Sequence, residues 1–478
     1  MEKRPNVVII TIDECKASAM SAYGNKYVDT PASEYAKKNG VMFENAFVCH
    51  PKCVPSRCGL LSGRYVHTNG HRTLPGYELT KDEISLAGML KNKGYRTAMF
   101  GKNHTVEEGI KSDIFDEYTK EIKSRAQSIP HDKNMYLDDL PWKAFYRGRW
   151  DDTNDDEHQD YYDALSGIEF IKENKDRPFF ALFNLSMPHP VYYGMSPYIE
   201  KIEKMGVPAP KMEPIDEAPE TLKMYRDTYD VDKMTDKQRT AVVEAYYSMT
   251  SYVDNLVMKI YEQIEALGLK DNTIIVYTSD HGDFAGEHGC YEKYDTFFYD
   301  CLVKVPLFIQ YPPRLKPRKL NGIVENVDIM PTILELMGIP APENVHGKSC
   351  AGYMLGEKDG HKEYAFCEGG VEKSVVDRAP HYDSVECERM RPNYYLKQKV
   401  LVDHPESMYR AKMIRTLDWK FIYRISGYHE LYDLQNDPEE LKNVYRKDHE
   451  QVHKLMPKLL DWEIETEPDY PHIENLYA

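Results

Sequence analysis

Cys53-Val54-Pro55-Ser56-Arg57 brings together residue types whose spacing suits nucleophilic chemistry on an anion. Pro55 belongs in the first turn of a helix, and Leu60-Leu61 followed by Gly63 predicts a short helix opening near Cys53. A cysteine at a helix start meets unpaired backbone N–H groups and the positive end of the helix dipole. Arg57, one turn on, adds a fixed charge on the same side. Both effects favour the thiolate, and both create a pocket for an oxyanion. For a lone cysteine the competing reading is a buried, inert thiol, so the case turns on what else the chain brings to it.

Four further polar groups follow apolar runs: Asp13-Glu14, Lys102 with His104, His189, and Asp280-His281. Asp13, Glu14, Asp280 and His281 offer three carboxylates and one imidazole, a donor set for a hard divalent cation such as calcium, magnesium or manganese. Cys49, His50, Cys53 and Cys58 could instead serve a structural zinc, but their spacing matches no closed zinc module and no second cysteine pair lies nearby.

Buried strands must hold these groups. Residues 6–11, 95–100, 179–185, 273–278 and 305–310 read as short apolar strands. Residues 30–40, 85–94, 162–172, 235–268 and 328–337 read as helices, with Thr235 and Gln238 in a capping-box pattern. Their alternation predicts an α/β fold, a large mostly parallel sheet sandwiched by helices, whose ligands bind at the carboxyl ends of the strands. Residues 105–160 read as an irregular polar excursion, and 191–232 as a long functional loop without a clear period. Beyond residue 365 come shorter mixed segments, with strands within 413–424 and 430–434 and a helix over 450–462. The chain is therefore expected to divide into a catalytic domain, residues 1–365, and a smaller C-terminal α+β subdomain, residues 366–478.

A net charge of −17 repels nucleic acid and anionic membranes, so neither is expected as a partner, and an anionic substrate needs a local basic pocket. No run reaches transmembrane length or resembles a signal peptide, and nine cysteines without regular spacing suit reduced thiols. Together these predict a cytoplasmic protein.

Cys53-x-Pro55-Ser56-Arg57, followed by Leu60-Leu61-Ser62-Gly63-Arg64, resembles the signature of type I sulfatases in the alkaline phosphatase superfamily. The resemblance extends to Gly101-Lys102-Asn103-His104, Pro188-His189-Pro190, Lys293 in the run from Gly286, Val305-Pro306-Leu307, and Asp328-Ile329-Met330-Pro331-Thr332. The segment from Glu430 to Leu434 is similar to the family's C-terminal region. It implies an alkaline-phosphatase-like fold and a sulfuric ester hydrolase. It also implies that Cys53 is oxidised to formylglycine by a formylglycine-generating or anaerobic sulfatase-maturing enzyme. One divalent ion, calcium ahead of manganese or magnesium, would be held by Asp13, Glu14, residue 53, Asp280 and His281. Glu14 departs from the usual aspartate, and Asp280-His281 resembles the variant of iduronate sulfatases, choline sulfatases and phosphonate monoester hydrolases.

The catalytic roles are also implied by the resemblance. The hydrate of modified residue 53 attacks sulfur, held by the metal and Arg57, while Lys102 and Lys293 stabilise charge. His189, helped by Lys293, protonates the departing alcohol, and His104 removes the second hydroxyl proton so that sulfate is expelled. A phosphonate monoester or phosphodiester hydrolase is the alternative within the superfamily. The alcohol must be read by residues 105–160, 191–232 and 371–412. There Trp142, Tyr146, Arg147, Tyr192, Tyr193, His381, Arg389 and Arg391 suit a polar sugar. The expected substrate is a small sulfated carbohydrate, a mono- or disaccharide.

Overall fold

The computed structural model describes residues 4–68, 70–71, 78–119, 145–150, 158–376 and 392–467. Its main sheet is built from β1 (Asn6–Asp13), β2 (Val41–Phe47), β3 (Arg96–Gly101), β4 (Glu117–Tyr118), β6 (Phe179–Pro188), β8 (Thr273–Ser279), β9 (Lys304–Gln310) and β10 (Arg318–Glu325). β5 (Tyr146–Trp150) and β7 (Tyr192–Met195) pair separately. The strand order is β10-β2-β9-β8-β1-β6-β3-β4. β1 is buried along its whole length and pairs in parallel with β6 and β8, Val7 facing Phe180 on one side and Ile274 on the other. A strand covered on both faces must be apolar throughout, which is why these runs show no alternation. β3 continues the parallel set beyond β6. Only β9 runs against its neighbours, antiparallel to β2 and β8.

The mostly parallel sheet is thus present, with three strands that the apolar runs did not reveal: the two-residue β4, β2 and β10. β2 is interrupted by Glu44-Asn45, where its register against β9 shifts between Phe43 and Ala46. β10 buries only Ile323, Val324 and Glu325 and lies at the sheet edge. Among the described residues the α-helices of seven or more residues are α1 (Pro31–Asn39), α2 (Cys53–Ser62), α3 (Leu86–Asn92), α4 (Gln159–Glu173), α5 (Tyr198–Met205), α6 (Glu220–Tyr229), α7 (Asp236–Ala266), α8 (Ile329–Leu336), α9 (Pro392–Asp403) and α10 (Glu450–Glu465). α1 and α4 pack against α7 in one layer, and α2 packs against α3 and α8 in a second group. The 31-residue α7 opens with the expected Thr235–Gln238 capping box. Residues 191–232, expected as a loop, contain β7, α5 and α6. Two helices of 8 and 10 residues are too short to establish a period.

β11 (Ala365–Gly369), β12 (Ala411–Arg415), β13 (Trp419–Arg424) and β14 (Glu430–Asp433) form an antiparallel sheet. Alternation along it is strict: Met413, Ile422 and Tyr432 join the main core, while Ile414, Phe421 and Leu431 pack under Leu455, Leu459 and Trp462 of α10. Because β1, β3, β6 and β8 are parallel, their carboxyl ends lie along one edge of the main sheet.

Candidate active site

At that edge the ends of β1 and β8 are tied together. Glu14 adopts φ +71°, a left-handed conformation that costs a non-glycine residue about 1 kcal/mol. The turn is held because the Glu14 N–H donates to Asp280 Oδ1 (3.0 Å), the Cys15 N–H to Ser279 Oγ (2.9 Å), and the Tyr246 hydroxyl to the Glu14 carbonyl (2.9 Å). Asp13 and Asp280 are thereby brought side by side, both fully buried. α2 begins at Cys53, and no side chain caps its first turn. Ser56 donates to the Asp280 carbonyl, and Asn326 Nδ2 donates to both the carbonyl and the hydroxyl of Ser56, which fixes the helix start against β8.

Arg57 is 1% exposed, and a buried guanidinium is tolerated only when its donors are matched. Its Nε donates to Asp280 Oδ2 (2.8 Å) and its Nη1 to Thr11 Oγ1 (2.6 Å) and Asn184 Oδ1 (2.7 Å). Its Nη2 lies 3.3 Å from Asp13 Oδ2. Lys102 Nζ donates to Asp13 Oδ2 from the end of β3 (2.9 Å). Cys53 Sγ lies 3.5 Å from Asp13 Oδ1 and 3.2 Å from His281 Nε2. The His281 Nδ1–H donates to the Gly282 carbonyl (2.8 Å), which turns Nε2 inward.

Burial by itself pushes the Cys53 thiol up, yet the charges of Lys293, Lys102 and His281 outweigh it and hold this thiol well below its ordinary range. Cys15, Cys49, Cys58, Cys290, Cys301, Cys350 and Cys367 are all pushed up by burial. Cys53 is the exception among the described cysteines. His281 shows the converse balance: burial opposes its charge, but Asp280 and Cys53 raise it to about 10.

A second group approaches from the opposite side. Lys293 Nζ donates to Glu14 Oε2 (2.7 Å) and to His189 Nε2 (2.6 Å), and the His189 Nδ1–H donates to the Pro190 carbonyl (2.6 Å). His189 is therefore neutral with its lone pair on Nε2. Burial, then Lys102 and Lys293, lower it to about 4. His104 also helps to lower the Cys53 thiol.

Ligand atoms of Asp13, Cys53, Asp280 and His281 lie within 4.8 Å of one another, as do those of Asp13, Glu14 and His189. An ion with bonds of about 2.4 Å can bridge two donors about 4.8 Å apart, so the first set fits a hard divalent cation. Glu14 belongs to the second set. Its Oε2 is taken by Lys293, while its buried Oε1 has no hydrogen-bond partner among the described residues. Cys49, His50 and Cys58 join Cys53 in no donor cluster among the described residues.

Every residue proposed for catalysis or metal binding thus reaches one edge. Thr11, Asn184, Ser279, Tyr246 and Asn326 went unrecognised, and the only hint was a polar residue interrupting an apolar run, as Asn184 does in β6. The sugar-reading residues fare differently. Trp142, His381, Arg389, Arg391 and the Arg147 side chain lie outside the described residues. Tyr146 and Tyr192 are buried rather than presented to a ligand. The Tyr192 hydroxyl donates to Asp283 and accepts from the Glu292 N–H (3.0 Å), which gives it a structural task. Tyr193 is partly buried, its ring edge-on to Trp150 at 6.0 Å.

Residues 5–339 match the Sulfatase family. The chain is 27% identical over 479 residues to arylsulfatase K of Gallus gallus, covering 95% of this chain and 81% of that protein. It is 26% identical over 535 residues to an N-acetylglucosamine-6-O-sulfatase of Bacteroides thetaiotaomicron, covering 98% and 87%. A solved phosphonate monoester hydrolase from Silicibacter pomeroyi superposes with a TM-score of 0.75 over 98% of this chain and 96% of its own. At 18% identity that likeness establishes the fold.

Proposed function

Because this chain belongs to the sulfatase family and is a sulfuric ester hydrolase, we propose that it hydrolyses a sulfate monoester of a small sulfated carbohydrate, using formylglycine made from Cys53 and one divalent ion, calcium foremost. The observation that carries this reading is Cys53 itself, the one described cysteine whose surroundings favour the anion, placed at a helix start beside the Asp13–Asp280–His281 donors. When present, the formylglycine hydrate supplies an oxygen nucleophile with an exit that a thiol lacks, and the ion, held by Asp13, Asp280 and His281, supplies charge for sulfate oxygens.

The chain's own residues do the rest. Arg57 pairs with both Asp13 and Asp280 and aligns them. Lys102 and Lys293 bring fixed positive charge from two sides, where preorganised groups stabilise charge most effectively. His189 has Nδ1–H anchored on Pro190, so Nε2 is the atom that passes a proton to the departing alcohol, with the Lys293 ammonium beside it as donor. His104, which helps to lower the Cys53 thiol, is assigned to take a proton from residue 53.

The N-acetylglucosamine-6-O-sulfatase relative supports a sugar as the alcohol. The phosphonate reading has the weaker support, a likeness of fold. No helix among the described residues is long and apolar enough to cross a membrane. Among the described residues eight cysteines are buried and unbridged, which supports the cytoplasm and a maturing enzyme there as part of this reading. Residues 1–365 are assigned the chemistry as a catalytic domain and residues 366–478 form a smaller C-terminal subdomain, with residues 371–412 among those assigned to substrate contacts.

Tryptic cleavage isolates Cys53–Arg57 with a single cysteine. Mass spectrometry of protein that is turning over should find the aldehyde, and intact thiol alone would refute the modification. Comparing sulfated sugars with phosphonate and phosphodiester substrates decides the reaction class.

A further inference from the structure

Two ammonium groups near the site have no part in the reaction described above. Lys397, on α9, contacts the carboxylate of Glu292, and Lys52 Nζ donates to both oxygens of Asp295 (2.8 and 3.0 Å). The carboxylates are buried, at 1% and 8% exposure, whereas Lys397 and Lys52 are 26% and 19% exposed, like Lys102 at 24% and His189 at 25%. Glu292 immediately precedes Lys293 and adopts φ +59°, so strained backbone is retained where it places this carboxylate. The fields of Lys397, Lys293 and His189 all act on Glu292, and those of Lys52, His50 and Lys397 on Asp295. His50 is fully buried, with neither ring nitrogen hydrogen-bonded among the described residues. Lys397 is thus paired with the carboxylate of the residue that immediately precedes Lys293, the partner of His189.

An ammonium has three donors, and among the described residues Lys397 contacts a single carboxylate, which leaves capacity for another acceptor. In a chain of net charge −17, partly exposed cations near the reaction centre are suited to an anion. We propose that Lys397, seconded by Lys52, binds a second anionic group on the alcohol, so that the preferred substrate is a sugar bearing a carboxylate or another sulfate beside the scissile sulfate. The proposal rests on the sulfatase reading of this site and specifies its substrate class.

The alternative is that Lys397 only neutralises Glu292, in which case its loss would affect all substrates alike through kcat. The test compares wild type, Lys397→Met and Lys397→Arg on nitrophenyl sulfate, a neutral sulfated monosaccharide, and the same sugar carrying a neighbouring carboxylate or a second sulfate. Wild type should prefer a doubly charged sugar. Lys397→Met should cut that preference about five- to tenfold by raising KM, and Lys397→Arg should retain most of it. Whichever doubly charged sugar suffers the larger loss identifies the group recognised. No preference in wild type, or an equal loss on every substrate, overturns the proposal. Absence of turnover on all sulfate esters would refute the catalytic reading instead. Calorimetry then still decides on Lys397, because a Kd for the doubly charged sugar that Lys397→Met leaves unchanged overturns its role.

Discussion

Asn184→Ala tests how the reaction centre is held together. Asn184 Oδ1 accepts from Arg57 Nη1 (2.7 Å) and Thr11 Oγ1 (2.7 Å), and its Nδ2 donates to the Lys102 carbonyl (2.9 Å). Thr11 can turn its hydroxyl to the Phe183 carbonyl (3.2 Å), so that bond is replaceable. The charge-assisted bond to Arg57 contributes about 1.5–3 kcal/mol and the neutral bond to Lys102 about 1 kcal/mol, giving an expected destabilisation of about 3 kcal/mol. Arg57 aligns Asp13 and Asp280, and Lys102 pairs with Asp13, so a shift of about 1 Å in either should reduce turnover about a hundredfold. Urea denaturation measures the first effect and kcat/KM the second. Asn174→Ala is the control. It also loses a buried amide, bonded to Phe170 and Arg177, but it sits beyond the C-terminus of α4, before β6 begins, at the opposite sheet edge. It should lose about 1–2 kcal/mol and keep its turnover. If Asn184→Ala stays within about 0.5 kcal/mol of wild type, or is destabilised but fully active, the reasoning fails.

Three further outcomes are expected. Asp13→Ala or Asp280→Ala should abolish bound divalent metal and nearly all turnover while far-UV circular dichroism stays near wild type; elemental analysis and activity assays check this. Gly101→Ala should be severely defective in folding yield and activity. Gly101 has φ +97°, and an added Cβ would lie 2.2 Å from the Asn184 carbonyl oxygen, displacing the strand end that delivers Lys102. Asp163 is held at about 7, against an ordinary 3.8, by burial and by Asp160. The folded chain therefore holds this proton more tightly than the unfolded chain. The stability it contributes is full below pH 3.8 and is lost as pH rises through 7. Urea midpoints between about pH 5 and 8 should show Asp163→Asn gaining on wild type as pH increases.

Legibility followed range. The start of α2, the capping box of α7 and the buried strands β1, β6 and β8 were readable because a few adjacent residues dictate each one. β2 and β10 were not, since Glu44-Asn45 and the exposed Arg318–Leu320 half break the apolar pattern that marks a strand. Tyr192 shows a converse error. Its aromatic, polar character suited a sugar, but the same character suits a buried hydroxyl donating to Asp283, and only the packing distinguishes them.

The sequence by itself singled out the residues proposed for the chemistry: Cys53 with Arg57 one helical turn away, and polar groups placed just after apolar runs. It did so because local spacing and strand ends are written in consecutive residues. Tertiary structure alone decided how those groups meet. Asp13 and Asp280 become neighbours because β1 and β8 pair in parallel with Ile12 opposite Ser279, a contact spanning more than half the chain. The same holds for Asn184 on Arg57, Lys293 between Glu14 and His189, and Lys397 on Glu292. Such pairings follow from strand order and register. Those are set by the burial of the whole sheet, which no single stretch of sequence specifies.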